Sequence, residues 1–172
     1  MSNWCENYVQ FTGDEAKVAE VRQLFVEFQK DDVRNIHHYP SYITAENRLM
    51  IDVYLKPRYV YFRTRWYPNL EALQQIADHF EVGFSDKYEE RGNMIYGVVI
   101  YEKGQMHYIQ IEQEDLDLIS YNEEFSCYNY NGKNYDDDVD LYDVILDHKA
   151  EQFRSQTTPL SQTPSQARPL WL

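Results

Sequence analysis

The chain has 172 residues, of which 43% are hydrophobic, which suffices for one ordinary domain with a substantial core. Its 16 Lys and Arg residues stand against 29 Asp and Glu residues and give a net charge of −13. A charge of this sign disfavours any broad surface for nucleic acids or anionic membranes. The composition therefore predicts neutral or basic partners and no direct contact with nucleic acid.

The two cysteines, Cys5 and Cys127, form no C-x-x-C pair, and a single bridge would be far from the disulfide density of small secreted scaffolds. The longest nearly apolar run, residues 94–101, is much shorter than the roughly 18 residues of a membrane span. The N-terminus lacks the basic region of a signal peptide. We therefore expect reduced thiols, no membrane anchor and a cytoplasmic location.

The first element, residues 4–11, alternates apolar and polar side chains and predicts a strand. Thr12 and Glu15 then form a capping-box pattern that predicts the start of a helix. Apolar residues at helical spacing predict its buried stripe: Val18, Val21, Leu24, Phe25 and Phe28. A loop over residues 31–47 follows.

Residues 48–55 and 59–65 alternate strictly and predict a hairpin. Pro68 and Asn69 precede a second amphipathic helix, and residues 81–88 predict another strand. The order strand, helix, strand, strand, helix, strand predicts an α+β fold of the ferredoxin-like split βαβ type, an antiparallel sheet with two helices on one face. Residues 93–111 predict an additional hairpin.

The C-terminal part predicts an acidic elaboration of this core. Residues 125–130 and 133–135 flank Asn131-Gly132, a strong hairpin signal, and residues 136–153 have a helical pattern. We therefore expect a core over 1–111 and an acidic, Tyr-rich hairpin and helix packed on it over 112–154. Residues 155–172 are rich in Ser, Thr, Gln and Pro and predict a disordered tail.

Three short signatures lie on predicted elements in a consistent order. They are Asn-Trp-Cys-Glu-Asn at 3–7, Thr-Arg-Trp-Tyr-Pro at 64–68 and Tyr-Glu-Glu-Arg-Gly at 88–92. Together they resemble the Api92-like, or YubB-like, family. The resemblance covers residues 3–104 and leaves the acidic segment from 112 onward outside it. It implies a ferredoxin-like fold and carriage on plasmids, phages and conjugative elements, and it transfers no catalytic residue.

Cys5 could act as a nucleophile with His37 or His38 as its base. Cys5 lies on the same side of the predicted strand as Val9 and Phe11, and a cysteine at such a position is more typical of core packing. Adjacent histidines cannot readily point at one ion, and no third ligand has a recognisable spacing. We therefore predict no enzyme activity, no metal and no cofactor.

The sheet face opposite the helices is predicted to carry aromatic and arginine side chains. If Leu49, Ile51, Val53, Val60 and Phe62 face the helices, then Trp4 and Tyr8 face away. An alternative site on the same face comprises Tyr54, Tyr59, Tyr61, Arg63 and Arg65. Such a face could stack nucleobases, although covering by the C-terminal part or a homodimer is the simpler interpretation.

The preferred site is acidic. Asp136, Asp140, Asp143, Asp147 and Glu151 are spaced to form one stripe of a helix, with rises approaching the phosphate spacing of a nucleic-acid strand. A second cluster with contact tyrosines comprises Glu112, Glu114, Asp115, Asp117, Glu123, Glu124, Tyr128 and Tyr130. The pattern predicts a protein-binding module for a basic partner, and in its narrower form a nucleic-acid mimic that inhibits a host nuclease or another defence protein of the restriction or CRISPR type. A solvated surface and a housekeeping interaction module are the alternatives.

Overall fold

A computed structural model describes residues 3–157 of the chain. The chain divides into two compact units, Met1–Tyr108 and Ile109–Leu172, which we call the first and second unit. The sequence predicts that the core ends at residue 111, and the structure places the boundary three residues earlier, after Tyr108. We describe each unit separately.

The first unit is built on a six-stranded antiparallel sheet with strand order β2-β3-β1-β4-β5-β6. Strands β2-β3-β1-β4 form the ferredoxin-like core, and the predicted additional hairpin extends it at the β4 edge. The elements are β1 (Trp4–Thr12), α1 (Glu15–Val33), β2 (Ile51–Leu55), β3 (Val60–Arg65), α2 (Leu70–Phe80), β4 (Gly83–Glu90), β5 (Ile95–Glu102) and β6 (Gln105–Gln110), whose last two residues lie beyond the boundary after Tyr108. The predicted fold class and order of elements are confirmed.

One face of the sheet and both helices share a single hydrophobic core. Phe62 of β3 stacks on Phe25 of α1 with ring centroids 5.9 Å apart, and both side chains are fully buried. The helix α1 buries Val21, Phe25 and Phe28, three positions of the predicted stripe. Leu73 and Ile76 of α2 are also fully buried. The helical periodicity in the sequence therefore identifies the packed faces correctly.

The start of α1 differs from the expected capping box. Asp14, not Thr12, is the N-cap, and its carboxylate accepts hydrogen bonds from the backbone amides of Ala16 and Lys17 at 3.0 and 3.2 Å. Asp is at least as good an N-cap as Thr, and its negative charge is stabilised by the positive end of the helix dipole. The helix therefore begins at Glu15.

The strand β2 is irregular, which makes the predicted assignment of faces wrong at its start and leaves it right from Val53 onward. Its register with β3 gains one residue between Ile51 and Tyr54, and Asp52 has a φ of 50°. This bulge breaks the two-residue alternation. Before the bulge the two faces are exchanged: Met50 is buried in the core, whereas Ile51 pairs with Arg63 on the opposite face. After the bulge Val53 is buried, as the alternation predicts.

The second unit has a small sheet and one long helix. Its elements are α3 (Gln113–Leu116), β7 (Ser120–Asn122), β8 (Cys127–Tyr130), β9 (Lys133–Tyr135) and α4 (Asp138–Thr157). Its antiparallel sheet has the order β7-β8-β9, and Asn131 and Gly132 link β8 to β9 with φ values of 50° and 75°. Both residues tolerate the left-handed region that a tight hairpin turn needs.

The helix α4 is longer than the predicted helix at 136–153, and it begins and ends later in the chain. Leu141 and Ile145 pack with Tyr130 in a small hydrophobic core, while His148, expected on the same stripe, is exposed. The helix continues through Ser155 to Thr157, where a disordered tail was expected. The rest of that predicted tail lies outside the described residues.

Gly83→Ala should lower the free energy of unfolding by about 1–3 kcal/mol, because it overpacks a closed site. A Cβ at Gly83 would lie 2.8 Å from both the Tyr101 carbonyl oxygen and the Thr12 hydroxyl. The Tyr101 atom belongs to the backbone of the paired strand β5 and cannot rotate away. Urea denaturation measures the effect. Adding Thr12→Ala should restore little of the loss, and an unchanged Gly83→Ala variant would contradict this account.

Candidate functional site

An acidic segment, residues 112–126, forms one candidate surface in the second unit. It contains six acidic and no basic residues, and all of the acidic residues except Asp115 are exposed. Large apolar side chains are exposed between them. The exposed fractions are 62% for Leu118, 52% for Tyr121 and 68% for Phe125. Carboxylates and accessible apolar side chains therefore alternate along a short stretch of chain.

The start of the acidic segment has a defined conformation. The Asp115 carboxylate accepts a hydrogen bond from the Glu112 backbone amide at 2.8 Å and caps α3. Lys149 of α4 contacts the same carboxylate at 2.5 Å and that of Glu112 at 3.3 Å. Burial opposes the charge on Lys149, but these two carboxylates outweigh it and raise the pKa of the amine. Lys149 thereby links the acidic segment to α4.

The predicted acidic stripe is present on α4 with four of its five members. Asp140 and Glu151 are exposed, and Asp143 and Asp147 are half-buried. Positions separated by three and four residues lie on one side of a helix, so these four carboxylates share a face. We call these four residues the α4 stripe. Asp136 precedes the helix, which begins at Asp138, so its placement on the stripe is wrong.

The two ends of the α4 stripe differ in charge. At the N-terminal end, the Asp137 carboxylate accepts a hydrogen bond from the Asp140 backbone amide at 2.8 Å, which adds negative charge where the helix dipole is positive. At the other end, burial lowers the pKa of Arg154, while Asp147 and Glu151 act in the opposite direction. The Arg154 guanidinium therefore offsets part of the charge of these two carboxylates.

The tyrosines predicted as contact residues are mostly used inside the second unit. Tyr130 is only 7% exposed and lies in the core with Leu141, so it is not a surface contact. Tyr128 is half-buried, and its ring centroid lies 5.1 Å from that of Tyr121. Tyr121 is the more exposed of the pair and is therefore the better candidate for contact with a partner.

An aromatic–arginine face lies on the first unit, on the side of β1, β2 and β3 away from the helices. Its members are Trp4, Tyr8, Tyr54, Tyr59, Tyr61, Arg63 and Arg65. Cross-strand pairing places Tyr8 beside Tyr61, which in turn pairs with Tyr54. The Tyr59 ring centroid lies 5.8 Å from that of Tyr8. The structure therefore brings together all five residues of the alternative site.

The arginines of the aromatic–arginine face pack against an aromatic ring. The guanidinium carbons of Arg63 and Arg65 lie 5.4 and 5.9 Å from the Trp4 ring centroid, within the range of cation–π contacts. Arg63 also forms an ion pair with Asp52. Burial, with the nearby Glu6 carboxylate, raises the pKa of Tyr61 to about 12, so its hydroxyl stays protonated at physiological pH.

Cys5 is in an environment opposite to that of an activated thiol. It is fully buried in the core, and burial followed by the negative charge of Asp86 raises its pKa far above the ordinary value. Reactive cysteines have lowered pKa values and access to solvent. His37 and His38 are exposed, and no contact joins either of them to Cys5 within the described residues. The nucleophile hypothesis therefore has no support from this geometry.

The three sequence signatures converge at one end of the sheet, where they stabilise the fold. The buried Asn7 amide donates to the Cys5 carbonyl at 3.0 Å and to the Thr64 hydroxyl at 3.1 Å. The Glu90 carboxylate accepts from the Gly92 backbone amide at 2.8 Å. A Cβ at Gly92 would lie 2.4 Å from the Asn3 side chain. These contacts explain the signatures by packing and hydrogen bonding.

A shallow cleft of about 210 Å³ lies at the same end of the sheet. Its lining residues are Asn3, Trp4, Glu6, Glu89, Glu90, Arg91 and Gly92. Arg91 pairs with Glu89 at 3.2 Å, and Glu90 is occupied by backbone amides. The charged groups of the cleft thus have partners within the protein, which leaves the two exposed surfaces as the stronger candidates.

A buried carboxyl that sequence reasoning did not single out lies on β4. Asp86 is fully buried, and neither of its carboxyl oxygens has a hydrogen-bond partner of normal geometry among the described residues. Burial raises its pKa to about 8, and the nearby Tyr8 backbone amide opposes this only in part. The alternation of Phe84, Asp86 and Tyr88 would have placed it on the core face.

Metal sites and membrane spans are absent from the described part of the chain. Over residues 3–157 there is no cluster of three or more His, Cys, Asp or Glu side chains suited to hold a metal ion. None of the helices in the same range is long and apolar enough to cross a membrane.

A protein-family model matches more than half of the chain. The model of a family described as the ferredoxin-like domain in Api92-like protein matches residues 41–145. This range includes the acidic segment and the first part of α4, which the sequence signatures alone had left outside the resemblance. No curated protein and no solved structure matches the chain.

Proposed function

The chain belongs to the family of Api92-like proteins, and from this premise we propose that it is a non-enzymatic module whose second unit binds a basic protein. One observation carries the proposal. In the acidic segment, Leu118, Tyr121 and Phe125 are exposed among carboxylates, with no basic residue between positions 112 and 126. Exposed apolar side chains grouped in this way are typical of interaction sites.

The two kinds of side chain would contribute differently to binding. Burying an exposed side chain such as Phe125 in a partner's pocket contributes about 1.5–3 kcal/mol. The surrounding carboxylates would mainly raise the association rate with a positively charged surface. Residues 109–172 hold 13 acidic and 4 basic residues, so 4 − 13 gives −9 of the total −13. The partner should therefore have an apolar pocket within a basic surface.

The α4 stripe supports a narrower form of this proposal, in which the protein mimics a nucleic acid. Its members, Asp140, Asp143, Asp147 and Glu151, are three or four residues apart, which corresponds to rises of about 4.5–6 Å along the helix. A row of carboxylates at this spacing could occupy a groove built for phosphates. Because the family resemblance implies carriage on mobile elements, the partner we propose is a host defence nuclease of the restriction or CRISPR type.

The test is inhibition of DNA cleavage by a panel of purified restriction and CRISPR-type nucleases. We expect the protein to inhibit at least one of them, and we expect Asp140→Lys/Asp143→Lys/Asp147→Lys to weaken inhibition at least about tenfold, with strong salt dependence. Glu20→Lys/Glu46→Lys/Glu71→Lys is the control, since it makes the same charge change at exposed sites of the first unit.

Phe125→Ala tests the apolar part of the proposed binding surface. Under the proposal it weakens binding without changing the salt dependence, because it removes apolar area and no charge. Equal inhibition by the two triple variants would contradict a role for the α4 stripe. Binding of a partner that leaves nucleic-acid cleavage unaffected would favour the housekeeping interaction module instead.

A further inference from the structure

We propose that the aromatic–arginine face of the first unit binds single-stranded nucleic acid by stacking bases on its tyrosines. This site lies on a different unit from the proposed protein-binding surface and does not depend on it. The inference rests on the ring geometry, the local charge and the exposure of residues on β1, β2 and β3.

The tyrosines form a continuous row across three strands. The ring centroid of Tyr61 lies 5.3 Å from that of Tyr8 and 6.0 Å from that of Tyr54. Tyr54, at the outer strand β2, is 50% exposed. The rings are tilted against each other, by 60° between Tyr8 and Tyr61 and by 31° between Tyr61 and Tyr54, so a base would stack on a single ring such as that of Tyr54. Stacking of this kind needs no particular base sequence.

The local charge is opposite to the charge of the whole chain. Residues 51–65, the β2–β3 hairpin, contain four basic residues and one acidic residue, so 4 − 1 gives +3. The acidic groups near this face are Asp52, Glu6 and its cross-strand neighbour Glu89, of which Glu89 pairs with Arg91 and Glu6 keeps its negative charge. Asp52 pairs with Arg63, and the Glu6 carboxylate accepts a hydrogen bond from the Tyr8 hydroxyl at 2.9 Å. Arg65 is exposed, and its guanidinium, with the central carbon 5.9 Å from the Trp4 ring centroid, can contact a phosphate beside that ring.

The net charge of −13 disfavours long-range attraction of nucleic acid. It does not determine the charge that a strand meets once it lies on this face. Interactions between exposed charges are screened over about 10 Å at 0.1 M salt. Within that distance the basic residues of the β2–β3 hairpin act directly on a bound strand. The same positive charge would repel a second copy of this face, which makes an anionic ligand the better occupant.

The test uses the full chain and fluorescein-labelled oligothymidylate and oligouridylate, with binding followed by fluorescence anisotropy at low salt. We expect both single strands to bind more tightly than a DNA duplex. Tyr54→Ala/Arg65→Ala should weaken binding at least about tenfold, since one stacked base and one phosphate contact are lost. A difference between the two oligonucleotides would identify DNA or RNA as the preferred strand.

The matched control is Tyr108→Ala/Arg34→Ala, which removes the same residue types at exposed positions elsewhere in the first unit and should leave binding unchanged. The acidic segment could repel the oligonucleotides, and the variant Glu114→Gln/Glu123→Gln/Glu124→Gln removes three of its negative charges to test for this effect. Absence of binding by both this variant and the natural chain would overturn the proposal. The proposal would also be overturned if the two double variants weakened binding equally, or if the protein bound the DNA duplex more tightly than the single strands. A homodimer that Tyr54→Ala dissociates would overturn it as well.

Discussion

Asp86→Asn should stabilise the protein by several kcal/mol at about pH 8 and leave its stability unchanged near pH 4. Asp86 is fully buried between its cross-strand neighbours Val9 and Val99. Burial raises the pKa of its carboxyl to about 8. Asparagine has nearly the same shape but carries no charge to desolvate.

The sign follows from proton binding in the two states. In the unfolded chain the Asp86 carboxyl has its ordinary pKa of 3.8. Between that value and about 8, the folded chain keeps a proton that the unfolded chain has released. The free energy of unfolding therefore falls by about 1.4 kcal/mol per pH unit as the pH rises, or on the order of 5 kcal/mol over the interval.

Urea denaturation across this pH range measures the difference in the free energy of unfolding between Asp86→Asn and the natural protein. The difference should grow from near zero at about pH 4 to its full size at about pH 8. Glu20→Gln, which neutralises an exposed carboxyl on α1, serves as the control and should show no such growth. Parallel pH profiles for Asp86→Asn and the natural protein would refute the assignment of a buried, protonated carboxyl.

Asn7→Asp should lower the free energy of unfolding by about 3–5 kcal/mol, the range for an uncompensated buried charge. The Asn7 amide nitrogen donates to the Cys5 carbonyl at 3.0 Å, the Thr64 hydroxyl at 3.1 Å and the Phe62 carbonyl at 3.4 Å. A carboxylate oxygen in its place would face two carbonyl oxygens. It would also add a second buried carboxyl to the sheet face that holds Asp86.

Asn7→Ala separates the charge from the loss of hydrogen bonds. It removes the amide without adding a carboxyl, so it should be less destabilising than Asn7→Asp, and the gap should widen as the pH rises. Chemical denaturation of both variants at acidic and neutral pH measures this. If Asn7→Asp were as stable as Asn7→Ala at neutral pH, the proposed clash of acceptors would be wrong.

The fold could be predicted from the sequence because its elements have regular periods. The stripe on α1 that includes Phe25 and the alternation around Val60 and Phe62 both identify the core correctly. The failures occur where a local irregularity changes the period. One extra residue near Asp52 places Met50 in the core and Ile51 on the opposite face, and alternation cannot reveal a bulge in advance.

The candidate sites were predictable to different degrees. The α4 stripe follows from helical spacing alone, but a start at Asp138 removes Asp136 from it, and helix ends are the least certain part of such a pattern. The assignment of Tyr130 to the surface fails because β8 is only four residues long, too short for alternation to define a face. The row of Tyr8, Tyr61 and Tyr54 needs cross-strand register, which only the folded sheet supplies.

The buried carboxyl of Asp86 also changes the ionisation of the whole molecule. Counting every Asp and Glu as ionised gives −13, but a carboxyl with a pKa of about 8 is mostly neutral at pH 7, so the folded chain carries close to −12. Denaturation at neutral pH must then release nearly one proton per molecule into the buffer. The measured heat of unfolding will accordingly depend on the protonation enthalpy of the buffer chosen.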